Sequence, residues 1–257
     1  MNKVINLGIP HVGEHIFESI ETDELFQFMS VSETWKVLAE NVLIKRLKGW
    51  IFEACQNGET KVVRLLLEHS DQSIDFNARD EEGMTAFLLA AENGHNDIVK
   101  LLLDHSDESI ELNAKDEFGV TGFMNACQNG HNEVVQLLLN HPEPKIDVDA
   151  NDDDRCTAFM LACSEGHKDV VEILLDRDLS DSNIELNAND NDGFTAFIRA
   201  CQSGHKDIVE LLLNYSDIEV NERDNDGWTG YMWAFHTRHK SVVKLFLKSN
   251  RDIDLSE

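Results

Sequence analysis

Residues 85–95 read TAFLLAAENGH, and the same frame returns as TGFMNACQNGH at 121–131, TAFMLACSEGH at 157–167, TAFIRACQSGH at 195–205 and TGYMWAFHTRH at 229–239. The opening threonines, Thr85, Thr121, Thr157, Thr195 and Thr229, are spaced by 36, 36, 38 and 34 residues, and the closing histidines, His95, His131, His167, His205 and His239, keep the same intervals. A fixed period of this length signals a stacked array of small units rather than one globular core. Each frame is a short Ala- or Cys-rich apolar segment, followed by an amphipathic run such as NDIVKLLLDH (96–105) or NEVVQLLLNH (132–141). Apolar positions three and four apart predict helices, so each unit reads as two antiparallel helices.

Between units lie D-x-x-G segments, in which Gly83, Gly119, Gly193 and Gly227 can supply the positive φ of a tight turn. Arg155 takes that glycine's place in the fourth unit and puts the geometry of its turn in question. Residues 49–69, GWIFEACQNGETKVVRLLLEH, repeat the helix pair without a preceding turn segment, with Gly58 one 36-residue step before Gly94. Six helix pairs result.

The chain has 257 residues, 42% of them hydrophobic, enough for a large continuous core. It carries 49 acidic against 22 basic side chains, a net charge of −27. A field of that sign repels nucleic-acid phosphates and anionic lipid head groups, so no nucleic-acid or membrane partner is expected. Residues 1–48 hold seven acids and five bases, a net of −2, which leaves −25 in residues 49–257. The acidity belongs to the repeats. No apolar run reaches signal-peptide or membrane-spanning length, and five cysteines are an odd number, which fits free thiols in a reducing compartment. The expected location is the cytoplasm, with the nucleus open.

The pattern D-x-x-G-x-T-x-h-x-x-A-x-x-x-G-H-x-x-h-V-x-L-L-L-x-H, with h apolar, resembles the ankyrin repeat over residues 49 to about 250. The family usually has T-P-L-H at the start of the first helix; here Ala or Gly follows each Thr, and Leu88, Met124, Met160, Ile198 and Met232 stand where the His would be. These aliphatic chains are expected to pack rather than hydrogen-bond, since a buried imidazole needs partners and they do not. The expected fold class is all-α: an ankyrin-repeat solenoid of about six helix pairs with hairpin loops (49–257), preceded by a small three-helix segment (1–48).

One such pair cannot bury its own apolar face, so units share a core and stack. The resemblance implies that the hairpin tips and the exposed side of the first helices form a concave surface for a protein ligand. By position in the repeat, that surface displays Glu81, Glu82 and Met84; Glu117, Phe118 and Val120; Asp153 and Asp154; Asp192 and Phe194; and Asp226 and Trp228. Any single Asp there is adequately explained as turn chemistry. The run Met84, Phe118, Phe194 and Trp228 reads instead as exposed apolar anchors ringed by carboxylates, suited to a partner with basic residues and an apolar anchor. The ladder histidines recur about 10 Å apart in such a stack, too far to share one metal ion. Cys55, Cys127, Cys163 and Cys201 share one first-helix position with Ala91 and read as small core residues; Cys156, beside a turn, is the one candidate for exposure. No phosphate-binding loop, nucleophile elbow or paired-carboxylate motif is present, so neither an enzyme nor a cofactor is expected.

In residues 1–48, apolar clusters at Ile16, Phe17 and Ile20, at Leu25, Phe28 and Met29, at Trp35 and Leu38, and at Val42 and Leu43 suit three short helices, with Asp23 and Ser32 as caps for the later two. The stretch from Ile9 to Leu47 resembles an F-box: Ile9-Pro10, Ile16-Phe17, Leu25, Val31, Trp35, Leu38 and Ala39 follow that pattern, although Pro10 to Ile16 is one residue short and Ile44 replaces a usual second Trp. The resemblance implies docking on the Skp adaptor of a cullin-based ubiquitin ligase through Pro10, Ile16, Leu25, Val31 and Trp35, with the repeats choosing the substrate. The competing reading is a stand-alone ankyrin scaffold or inhibitor of a basic segment, with the N-terminal helices as a solenoid cap.

Overall fold

The computed structural model describes residues 51–68, 75–105, 110–142, 145–176 and 184–255. Over these the chain is helical, in twelve short helices joined in pairs. The first, α1, covers 51–57 in its described part. It is followed by α2 (Thr60–Glu68), α3 (Ala86–Glu92), α4 (Asn96–Leu103), α5 (Gly122–Gln128), α6 (Asn132–Leu139), α7 (Ala158–Glu165), α8 (Lys168–Leu175), α9 (Ala196–Ser203), α10 (Lys206–Leu213), α11 (Gly230–His236) and α12 (Lys240–Phe246). The six pairs expected from the period are present. The expected boundary at 48/49 and the F-box-like residues Pro10, Ile16, Leu25, Val31 and Trp35 lie outside the described residues.

The chain divides into two units. In the smaller, residues 1–54 with 59–75, α2 buries Val63, Leu66 and Leu67 on one stripe. The larger, residues 55–58 with 76–257, is the stack of the remaining pairs, in which first helices pack on first helices and second on second.

Why the frame folds this way is visible at each of its letters. The ladder threonine is the N-cap of every first helix from α3 to α11: its hydroxyl accepts from the backbone N–H three residues on, at 3.2 Å for Thr85 and Leu88 and at 3.3 Å for Thr157 and Met160. That satisfies an otherwise orphaned helix-start amide. The next residue is Ala or Gly because it sits against the preceding unit: a Cβ on Gly122 would lie 2.7 Å from the Phe87 ring and 3.3 Å from Ala91. The following Phe87, Phe123, Phe159 and Phe197 are fully buried. Leu88, Met124, Met160 and Ile198 are buried too, packing where the family has a His, whereas Met232, in the last unit, is half-exposed.

The tie between units falls to the other histidine. His95, His131, His205 and His239 each place Nε2 2.7–3.0 Å from a backbone carbonyl near the end of the preceding first helix, on Gln56, Glu92, Ser164 and Gln202. Those carbonyls have no acceptor role inside their own short helices. The ring also lies flat against the preceding unit's glycine. At Gly204, with φ 79°, an added Cβ would come closer than 3.0 Å to the His239 ring. Glycine is thus required for both its left-handed backbone and the approach of its neighbour.

A second ladder runs along the loops. Asn77, Asn113, Asp149, Asn187 and Asn221 each accept a backbone N–H from the next loop at 2.9–3.0 Å, from Glu111, Asp147, Glu185, Glu219 and Asp254 respectively. Asn113, Asn187 and Asn221 also donate to a carbonyl there. One side chain so satisfies groups on a neighbouring unit that no helix or sheet pairs.

Candidate protein-binding surface

The hairpin tips are built around one aspartate each. Asp80 Oδ1 accepts from Glu82 N at 2.9 Å and Met84 N at 2.8 Å; Asp116, Asp152, Asp190 and Asp224 repeat the pair of bonds to their own i+2 and i+4 amides. These are turn-closing carboxylates. The turn glycines have positive φ, and Arg155 adopts the same left-handed conformation at φ 63°, so the fourth tip keeps its shape without a glycine.

Adjacent tips are stitched together by backbone bonds, Asp153 N to Phe118 O, Asn191 N to Asp154 O and Asn225 N to Asp192 O, at 2.9–3.0 Å. Arg79 adds bonds to Gly83 O and Lys115 O, and Lys115 Nζ reaches Asn151 O at 2.6 Å. Rigid placement follows: the side chains between these anchors project from a hydrogen-bonded ladder.

The aspartate's geometry sorts those side chains into two rows. Residues at i+2, namely Glu82, Phe118, Asp154, Asp192 and Asp226, are exposed, and so are Glu81, Glu117 and Asp153. Residues at i+4 turn back toward the first helices. Met84 is only 7% exposed and Phe194 only 9%, which corrects the expectation that both stand out as anchors. Val120 and Trp228 are half-buried. Phe194 packs on Trp233, ring centroids 5.4 Å apart, with the Arg199 guanidinium 4.6 Å above its centroid. Phe118, at 64%, is the large apolar side chain that does project among the tips.

Behind the tips sits a variable first-helix position, Leu89, Asn125, Leu161, Arg199 and Trp233. Arg199 pairs with Asp190, its Nε 3.1 Å from Oδ2, and Trp233 Nε1 donates to Asp224 Oδ2 at 2.6 Å. In the last two turns the aspartate's second oxygen is therefore paired with a first-helix side chain. Sequence reading missed both this pairing and the Asn ladder. The 36-residue period carries the signal for the second; the first departs from the repeat and leaves none.

Electrostatics on this side are self-repelling. Glu92 is held above the usual carboxylate range, first by burial and then by Asp116 and Glu82. Asp152 is raised by burial and by its neighbours Asp154 and Asp153, against the lowering effect of amides from Cys156 and Asp154. The thiols are held protonated. Burial takes the Cys127, Cys163 and Cys201 thiols far above their ordinary range, and half-buried Cys156 rises to about 11 through burial and Asp152. Among the described residues no group of His, Cys, Asp and Glu is arranged to hold a metal ion, and no helix is long and apolar enough to cross a membrane.

The ankyrin-repeat family model matches residues 40–116, 107–190 and 177–257. This chain is an ankyrin-repeat protein. The crystal structure of EF0377, an ankyrin repeat protein, is similar to it with a TM-score of 0.66 and 25% sequence identity, covering 79% of this chain and 98% of that one. No curated protein matches the sequence. Ankyrin repeats are protein-interaction scaffolds, so the tip surface is a candidate for contact with another protein.

Proposed function

We propose that this ankyrin-repeat protein binds a basic protein segment along its hairpin tips and performs no chemistry itself. The observation that carries this reading is the exposed carboxylate row Glu81, Glu82, Glu117, Asp153, Asp154, Asp192 and Asp226 on a hydrogen-bonded ladder, with Phe118 as its projecting apolar contact. Complementary charge steers encounter and selects partners, and an apolar anchor slows release. Asp116 and Glu82 already repel a charged Glu92, so a cation seated there relieves an existing cost. Met84 and Phe194 support this surface from below; Val120 and Trp228 border it. The test is anisotropy titration with a fluorescent Lys/Arg-rich peptide carrying one Trp. Binding that weakens with salt and is lost in Glu82→Lys/Glu117→Lys supports the reading; affinity unchanged by that charge reversal refutes it.

A narrower reading rests on the sequence of residues 9–46. If the F-box resemblance is functional, this segment docks on a Skp adaptor, and the repeats present a substrate to the ubiquitin-transfer machinery by raising its effective concentration. Free thiols fit a reducing compartment, and the cytoplasm or nucleus is the location this reading takes. Titration against a Skp adaptor decides it: saturable binding abolished by Trp35→Ala in a folded chain supports a receptor role, and absence of binding leaves a stand-alone interaction module.

A further inference from the structure

The last unit departs from the repeat where the repeat is most constrained. At the first-helix position occupied by Ala91, Cys127, Cys163 and Cys201, it has Phe235. Small residues are needed there because the next unit's Gly or Ala sits on them, as Gly230 sits on Cys201. At the position of Gly94, Gly130, Gly166 and Gly204 it has Arg238, at φ 62°. Those glycines leave room for the next unit's His ring. Both seats for a seventh unit in the same register are filled by large side chains.

The face is nonetheless apolar and open. Of the four large exposed apolar side chains among the described residues, three, Phe235, Leu247 and Leu255, belong to this end. Phe235 is 59% exposed and, with Tyr231, Met232 and Val243, lines a cavity of about 870 Å³ beside α11 and α12. Arg238, Lys240 and Lys244 also line it. The charge is inverted relative to the rest of the chain: residues 229–251 contain five Lys and Arg and no Asp or Glu, in a protein of net charge −27. Where α8 and α10 carry Glu172 and Glu210, α12 carries Lys244.

We propose that this end is a second docking surface, which takes an acidic amphipathic helix of a protein partner with its apolar side chains in the trough and its carboxylates against Arg238, Lys240 and Lys244. Helix-in-groove recognition needs an apolar trough long enough for anchors one helical turn apart, and a cationic rim selects against basic helices. A second copy docking by the same face would bring the two cationic rims together, which disfavours a symmetric dimer here.

The probe is a fluorescent peptide of about 18 residues, five helical turns, with a Leu/Phe stripe flanked by Glu, and a twin carrying Lys in place of Glu. We expect the Glu peptide to bind saturably, the Lys twin not to bind, and Lys240→Glu/Lys244→Glu or Phe235→Ser to weaken the Glu peptide at least about tenfold. These positions are at the surface, and circular dichroism checks the fold of each variant. Equal affinity for both peptides, or none for either, overturns the proposal. So does a wild-type dimer in sedimentation that Phe235→Ser makes monomeric, which assigns the face to a second copy. Binding of anionic vesicles in place of the peptide assigns it to a membrane surface and likewise overturns it.

Discussion

Arg155 and Arg238 are both held at positive φ, one inside the stack and one at its end. A left-handed backbone costs a residue with a Cβ about 1 kcal/mol or more, so Arg155→Gly is expected to raise unfolding free energy by about 1 kcal/mol in urea titration. Gly204→Ala should do the reverse and cost more, about 2 kcal/mol or above, because backbone strain adds to a Cβ driven into the His239 ring. Asp190, nearly fully buried, tests a different term. Arg199→Ala removes the partner of Asp190 Oδ2 and the cation over Phe194, and about 3 kcal/mol of stability should go with it. Glu92 makes the tip surface pH-dependent. Its raised pKa means that the native state binds more protons than the unfolded chain in the window above the ordinary value of 4.5, so stability declines as pH rises through that window. Affinity for a basic peptide runs the other way: a cation favours ionised Glu92, so binding should be tighter at about pH 7 than at about pH 5, and Glu92→Gln should flatten that difference. Residue identity alone did not give the exposure of Met84 and Phe194. Both follow a turn glycine just as Val120 and Trp228 do, and the aspartate bonds the i+4 amide in all four, so neither the spacing nor the turn separates the two buried residues from the two half-buried ones.

Helices of seven to nine residues are too short to persist alone, since nucleation is costly and each has only a few internal hydrogen bonds. Their stability comes from caps and neighbours. Thr157→Ala removes the acceptor for Met160 N and is expected to cost about 1 kcal/mol, read from the shift in denaturation midpoint. The pairs, their order and their turns were legible because the sequence states them five times over. The caps were present in the same ladder but indistinguishable from ordinary conserved spacing until the hydroxyl was seen to accept from the third residue of each helix. The Asn ladder was equally periodic; it went unread because an Asn in a loop has many local uses, and its partners lie one period away. Residues 1–48 offered patterns of another kind, apolar clusters without a period, and what they would bind was read from resemblance alone.

Within the larger unit, contacts run between neighbouring pairs, which makes its stability a sum of pair and seam contributions. Amide exchange should therefore be slowest in the middle of the stack, around Val135 and Val171, which are fully buried, and faster in the last unit, where Met232 is half-exposed. Exposed charge is segregated as well: carboxylates along the tips, cations around α11 and α12. Salt should weaken peptide binding at both places, with peptides of opposite sign. The Gly–His fit between units has a direction. A unit reaches back with its histidine to the carbonyl of the unit before it, and its own glycine is covered only by the unit after it. During synthesis from the N-terminus, each pair thus leaves the ribosome already able to fasten its predecessor while its own latch stands open. Completion trails the growing chain by one period.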